Sequence, residues 1–210
     1  MPDALADESV NTEIVGSETV YRGFVWDIAR ERFILDGHEI SREFVAHTGA
    51  VAVLALDERE RVLLIKQYRH PIRMRDWELP AGLLDIAGES PAVAAQRELA
   101  EEADLVAEDW SLLTEFATSP GGSNEMIRVF LARGVSASSE VFDRTEEEAG
   151  IEVRWVPLDE LVDAVLSRRL QNSILMIAVL AAHAARERGW ADLGVADSPW
   201  PRHPLQRPGR

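Results

Sequence analysis

Residues 78–105 constrain the fold most, because they join a helix that must lie close against a sheet to a row of carboxylates. Ser90 is placed to cap a helix and Pro91 suits its first turn, so a helix is expected from there to about Ala103. At about 100° per residue, Ala92, Ala95, Leu99 and Ala103 fall in one narrow stripe of mostly small side chains, which permits close packing. Glu98 and Glu102 stand four residues apart on an adjacent face, with Glu101 beside them. Like charges at that spacing repel. A hard cation would relieve the repulsion, and an all-oxygen ligand set suits magnesium or manganese. A solvated acidic face is the other reading of such a helix, and the residues around it decide between the two.

Apolar runs at 51–56 and 62–68, joined by the charged turn 57–61, read as two strands ahead of this helix. A segment at 77–82 leads into it, and further strand candidates follow at 110–118, 125–131 and 151–156. Strands, helix, then strands imply an α+β sandwich around a mixed sheet rather than a βαβ repeat. Upstream, β-prone runs at 18–26, 29–35 and 39–45, the last two joined by the turn pair Asp36-Gly37, predict a small N-terminal antiparallel sheet. Phe24 and Trp26 alternate with Val25, so on a strand both rings would share one face. They suit either a small core or base stacking. Helices are expected at 158–168 and 171–187, the second apolar on more than one face and therefore buried or set against a partner. Residues 191–210 hold four prolines and little periodicity, and an irregular tail is expected there.

The 210 residues, 46% of them hydrophobic, suffice for one catalytic domain with short additions. The expected division is 1–46 as a β extension, 47–190 as the catalytic domain and 191–210 as the tail. A net charge of −15 argues against an extended surface for nucleic acid or anionic lipid. A small phosphorylated substrate remains open, because a cation and a few arginines can invert the field inside a pocket. There is no cysteine, no apolar leader and no apolar stretch of roughly 18 residues, so a soluble cytoplasmic protein is expected.

Gly82, Glu89, Arg97, Glu98, Leu99, Glu101, Glu102 and Leu105 stand in the order of the Nudix box, and the chain resembles Nudix hydrolases over roughly residues 49–156. Six residues rather than the usual five separate Gly82 from Glu89, and Asp104 replaces the final glycine of the box. Gly88 can absorb the insertion, and Asp tolerates the left-handed conformation of a helix end. The resemblance implies a Nudix α/β/α sandwich and a magnesium site, with manganese as the alternative. By the same resemblance Glu98 and Glu102 are the principal ligands, Glu101 and the Ala81 carbonyl assist, and Arg97 holds a box carboxylate in place.

Substrate choice must come from residues outside the box. Ser119, Pro120, Gly121, Ser123 and Glu125 repeat a pattern of the dimeric ADP-ribose pyrophosphatases, with Pro120 fifteen residues after Leu105. An ordinary Gly-rich loop would look similar. Arg69 closes the second apolar strand, where it is either a surface residue or a bidentate phosphate grip, and the resemblance favours the grip. Arg42 and Glu43 resemble a pair that contacts the adenosine half across a dimer interface, and Phe24 and Trp26 would serve the same half. A carboxylate off the box helix must orient the attacking water. The acidic segment 143–150 reads either as a solvated loop or, by resemblance, as the source of that carboxylate, with Glu147 favoured and Glu148 next. The expected activity is magnesium-dependent hydrolysis of ADP-ribose by a homodimer. Another nucleoside diphosphate sugar or dinucleotide is the alternative substrate, and a non-catalytic nucleotide sensor is the rival class.

Overall fold

Every residue of one strand, Ala50–Ala55, is buried, as expected of a strand covered on both faces. Ala50, Ala52 and Leu54 enter one apolar cluster. Val51, Val53 and Ala55 enter another. This alternation separates two helical layers. The computed structural model describes residues 5–139 and 150–204.

In chain order the strands are β1 (Glu13–Tyr21), β2 (Asp27–Leu35), β3 (His38–Ala46), β4 (Ala50–Ala55), β5 (Arg61–Arg69), β6 (Met74–Glu78), β7 (Ala81–Leu83), β8 (Leu105–Ala117), β9 (Met126–Ala137), β10 (Glu152–Pro157) and β11 (Gly194–Val195). The helices are α1 (Pro91–Ala103), α2 (Leu158–Leu166) and α3 (Ser173–Glu187). Contacts group the chain into two units, one holding 49–116 and 126–199, the other the described parts of 1–48, 117–125 and 200–210.

The larger unit is the sandwich. Its five-stranded sheet runs β11-β8-β9-β4-β7, with β4 parallel to β9 and antiparallel to β7. A three-stranded antiparallel sheet runs β10-β5-β6. Ala92, Ala95 and Leu99 of α1 pack with Val51, Val53 and Phe130. Leu161 and Val165 of α2 and Leu175, Ala178, Val179 and Ala182 of α3 pack with Leu54, Val129 and Leu131. The arrangement is the expected α+β sandwich around a mixed sheet. α3 begins at Ser173 rather than at residue 171, because the Asn172 side chain accepts the Leu175 N–H at 3.1 Å and ends the coil there. The expected tail is irregular but not loose throughout: β11 pairs with β8, and the buried Arg128 guanidinium donates to the Ser198 carbonyl at 2.8 Å and pairs with Glu115.

The smaller unit contains the antiparallel sheet β1-β2-β3. Asp36 and Gly37 both have positive φ, 52° and 78°, as the tight hairpin between β2 and β3 requires. The expected strand at 18–26 is corrected: β1 starts earlier, at Glu13, and ends at Tyr21. Residues 22–26 bend between β1 and β2, and the Gly23 N–H donates to Asp27 Oδ1 at 3.2 Å. A side chain at Gly23 would put its Cβ 2.2 Å from the Trp26 carbonyl oxygen. Phe24 and Trp26 therefore do not alternate along a strand.

Candidate active site

α1 is delimited by its own sequence. The Ser90 hydroxyl accepts the Val93 N–H at 3.3 Å, Pro91 begins the helix, and Asp104 ends it at φ 54° and ψ 38°. Ser90 and Pro91 fix the register of the glutamates that follow. Glu98 and Glu102 are only 8% and 5% exposed, so the solvated-face reading fails for these two. Buried carboxylates demand partners. The Ala81 N–H of β7 donates to Glu102 Oε2 at 2.8 Å. Beside it, a Cβ on Gly82 would stand 1.9 Å from Glu98 Oε1, so the Glu98 carboxylate lies directly against the bare Cα. Two consecutive residues of one short strand thus meet the two buried carboxylates.

Arg97 gathers the remaining acids. Its Nε and Nη2 donate to Glu89 at 3.0 and 3.0 Å. Its Nη1 lies 2.5 Å from Glu98 Oε1 and 3.0 Å from Glu101 Oε2. Hydrogen bonding to Arg97 holds the Glu89 carboxyl below its ordinary range, and the bonds to Glu89 lead in raising the Arg97 guanidinium. Among the described residues no three acidic or histidine side chains converge as a cluster of cation ligands. The donor set nonetheless fits a hard divalent cation, since Glu98 and Glu102 are buried oxygen donors and the bare Gly82 Cα leaves room for the first of them.

Arg69, at the end of β5, forks onto Glu78 of β6, with Nε to Oε1 at 2.9 Å and Nη2 to Oε2 at 2.6 Å. The arginine side chain is 43% exposed and the glutamate side chain 6%.

Phe24, Trp26, Arg42, Glu43, Ser123 and Glu125 belong to the smaller unit. Trp26 stacks on His47 with ring centroids 5.5 Å apart, and His47 Nε2 lies 3.3 Å from Glu125 Oε1. Burial pushes the His47 imidazole pKa down, against the opposing pull of Glu125. Glu125 also accepts the Thr118 hydroxyl at 2.5 Å, while its N–H donates to the Ser123 Oγ at 3.1 Å. The Ser119–Glu125 turn is thus an ordered loop, bridged to β3 through Val45 and Ser123. Phe24 is fully exposed. Arg42 donates to its neighbour's Ser41 carbonyl, and Glu43 pairs across the sheet with Arg30 at 2.8 Å. Glu147 and Glu148 lie outside the described residues.

A family model of the NUDIX domain matches residues 46–175. The chain belongs to the NUDIX family. It is 40% identical over 189 residues to an ADP-ribose pyrophosphatase of Mycobacterium tuberculosis, covering 90% of this chain and 90% of that one. Over 173 residues it is 35% identical to an ADP-ribose pyrophosphatase of Bacillus subtilis, covering 82% and 92%. A solved structure, the crystal structure of ADP compounds hydrolase, superposes with a TM-score of 0.71 at 21% identity, covering 88% of this chain and 99% of that one, and shares the fold.

The two departures from the box are accommodated in this Nudix hydrolase. Gly88 takes φ 82° in the lengthened loop, and Glu89 still reaches Arg97. Asp104 takes the left-handed position directly. His47 carries no spacing signal, and Glu78, although it opens the informative stretch, shows its pairing with Arg69 only once the β5-β6 hairpin register is known.

Proposed function

We propose that this Nudix hydrolase cleaves the pyrophosphate bond of ADP-ribose, releasing AMP and ribose 5-phosphate. One observation carries the reaction class: Glu98 and Glu102, both buried on one face of α1, meet Gly82 and Ala81 side by side. ADP-ribose as the substrate is supported by the two relatives described above, which bear that activity in their names.

Glu98 and Glu102 would hold a magnesium ion, or manganese in its place, with Glu101 and the Ala81 carbonyl assisting. Bound there, the cation would offset charge developing on the pyrophosphate oxygens and favour ionisation of water. Arg97 fixes the rotamers of Glu98 and Glu101, so that the carboxylates are set before substrate arrives. Arg69 grips one phosphate, and its exposure beside a buried carboxylate suits that task. Glu147, or Glu148 beside it, takes the proton from the attacking water. Single-turnover comparison of Glu147→Gln with Glu148→Gln assigns that role to whichever variant loses more.

Recognition of the adenosine half is assigned to Phe24, Trp26, Arg42 and Glu43, and Ser123 and Glu125 are assigned to substrate contacts on the strength of the resemblance. A homodimer is part of this reading. It is supported by the apolar side chains exposed on and beside the N-terminal sheet, among them Ile14, Val20, Tyr21 and Val25. Among the described residues no helix is long and apolar enough to cross a membrane. The test of the substrate is a panel of nucleoside diphosphate derivatives that includes ADP-ribose, ADP-glucose, GDP-mannose and a diadenosine polyphosphate. ADP-ribose should give the highest kcat/KM, and a clear preference for another member would replace it.

A further inference from the structure

We propose that Glu78 is the positioning residue of the phosphate clamp, and that the run from Glu78 to Gly82 sets the distance between Arg69 and the carboxylates of α1. The inference rests on the reading of Arg69 as a pyrophosphate contact and supplies what that reading lacks, a cause for the direction of the guanidinium.

The β5-β6 register pairs Ile65 with Glu78, Gln67 with Asp76 and Arg69 with Met74. Paired residues share a side of a sheet, and so do alternate residues along a strand, so Arg69 and Glu78 lie on one face. They are not opposite each other. Arg69 must fold back along the hairpin to reach Glu78, and it makes both hydrogen bonds when it does. A bidentate fork fixes the plane of the guanidinium as well as its place, where a single hydrogen bond would leave it free to swing.

Burial separates this pair from an ordinary surface ion pair. With both partners exposed, each would move and little would be gained. Here Glu78 is the anchored end, 6% exposed at the side chain, and Arg69 the presented end at 43%. A carboxylate so deeply buried is costly without a partner, which holds the arginine to one arrangement.

The anchor continues into the box without a loose residue. Leu79 is 1% exposed, and the Pro80 carbonyl accepts the Val53 N–H at 2.8 Å. The Ala81 N–H holds Glu102, and the Gly82 Cα abuts the Glu98 carboxylate. Five consecutive residues are therefore each fastened, the first to the clamp and the last two to the metal-binding acids. An arginine placed by this run and a cation placed by the same run would meet a pyrophosphate at a fixed separation.

The experiment is a double-mutant cycle in the full chain: wild type, Glu78→Gln, Arg69→Ala and the double variant. KM, kcat, melting temperature and the magnesium concentration for half-maximal rate are measured for each, on whichever diphosphate substrate the wild type hydrolyses best. If that substrate is not ADP-ribose, the substrate assignment fails while the cycle still runs. Glu78→Gln should raise KM by about tenfold, the scale of one charge-assisted hydrogen bond, with a smaller change in kcat. Arg69→Ala should raise KM at least as far, and adding Glu78→Gln to it should raise KM no further. Arg69→Lys keeps the charge and loses the fork, so it should raise KM at an unchanged melting temperature even if Glu78→Gln fails to fold. The proposal is overturned by wild-type KM in Glu78→Gln, Arg69→Ala or Arg69→Lys, or by an equal KM increase from Glu78→Gln with and without Arg69. A shift in magnesium requirement without a KM effect would also overturn it, since Glu78 would then act on the cation.

Discussion

Ala81 and Glu102 lie 21 positions apart in sequence, yet the Ala81 N–H donates to Glu102 Oε2 at 2.8 Å. This bond fastens the short strand that opens the box to the last turn of the box helix. Through it, a backbone group positions the carboxylate of Glu102, one of the two proposed to hold the cation.

Glu98→Gln and Glu102→Gln should each reduce kcat by roughly a hundredfold or more, the scale of removing one transition-state interaction. The glutamine oxygen can still accept a hydrogen bond where each carboxylate did, so the melting temperature should move by a few degrees at most. Steady-state rates at saturating magnesium, alongside thermal denaturation, check both halves. Near-normal rates in either variant would remove these residues from the site.

Gly82→Ala is the more selective probe of the same geometry. The added Cβ would stand 1.9 Å from Glu98 Oε1 and 2.0 Å from its Cδ, so the Glu98 side chain must leave. The φ of Gly82 is not in the left-handed region, and the strand itself can accept alanine. Activity should fall about as far as in Glu98→Gln, and pairing the two substitutions should add little. Multiplicative losses in the double variant would show that Gly82 acts elsewhere.

The α1 acids were readable in the sequence because helix period, cap and spacing are local properties. Ser90, Pro91 and Asp104 all behave as their residue types demand. What lay beyond reach depends on pairing between distant segments. Alternation with Val25 would put Phe24 and Trp26 on a strand, but the chain turns first, where Gly23 comes close to the Trp26 carbonyl. The partners of Glu78 and His47 follow from a hairpin register and a ring stack, and neither leaves a trace in spacing. The bounds and carboxylate row of the box helix were legible, and the long-range pairings around it were not.

Glu89 gives a pH prediction. Its carboxyl is held below its ordinary value of 4.5, chiefly by hydrogen bonding to Arg97. A depressed folded-state pKa contributes stability that is complete above the unfolded value and disappears as pH falls through the folded one. Urea midpoints of the wild type should therefore decline as pH drops below about 4.5, and part of that decline should be absent in Glu89→Gln. Parallel curves for the two proteins would mean that the Arg97 fork contributes nothing to acid sensitivity.

Deleting residues 1–45 should weaken both assembly and ADP-ribose turnover, because the proposed dimer draws its adenosine contacts from the N-terminal sheet of each chain. Light scattering and kcat/KM on the same preparations read the two effects. A wild-type monomer with full activity at assay concentration would end the shared-recognition proposal.

Cleavage of a pyrophosphate bond by water at the α1 carboxylates can be followed by hydrolysing ADP-ribose in oxygen-18 water with added magnesium. Mass spectrometry should find AMP and ribose 5-phosphate in equal amounts, one solvent oxygen on one of the two phosphates, and almost no product from Glu98→Gln. Release of ADP with free ribose, label in the sugar rather than on phosphate, or undiminished product from Glu98→Gln would contradict it.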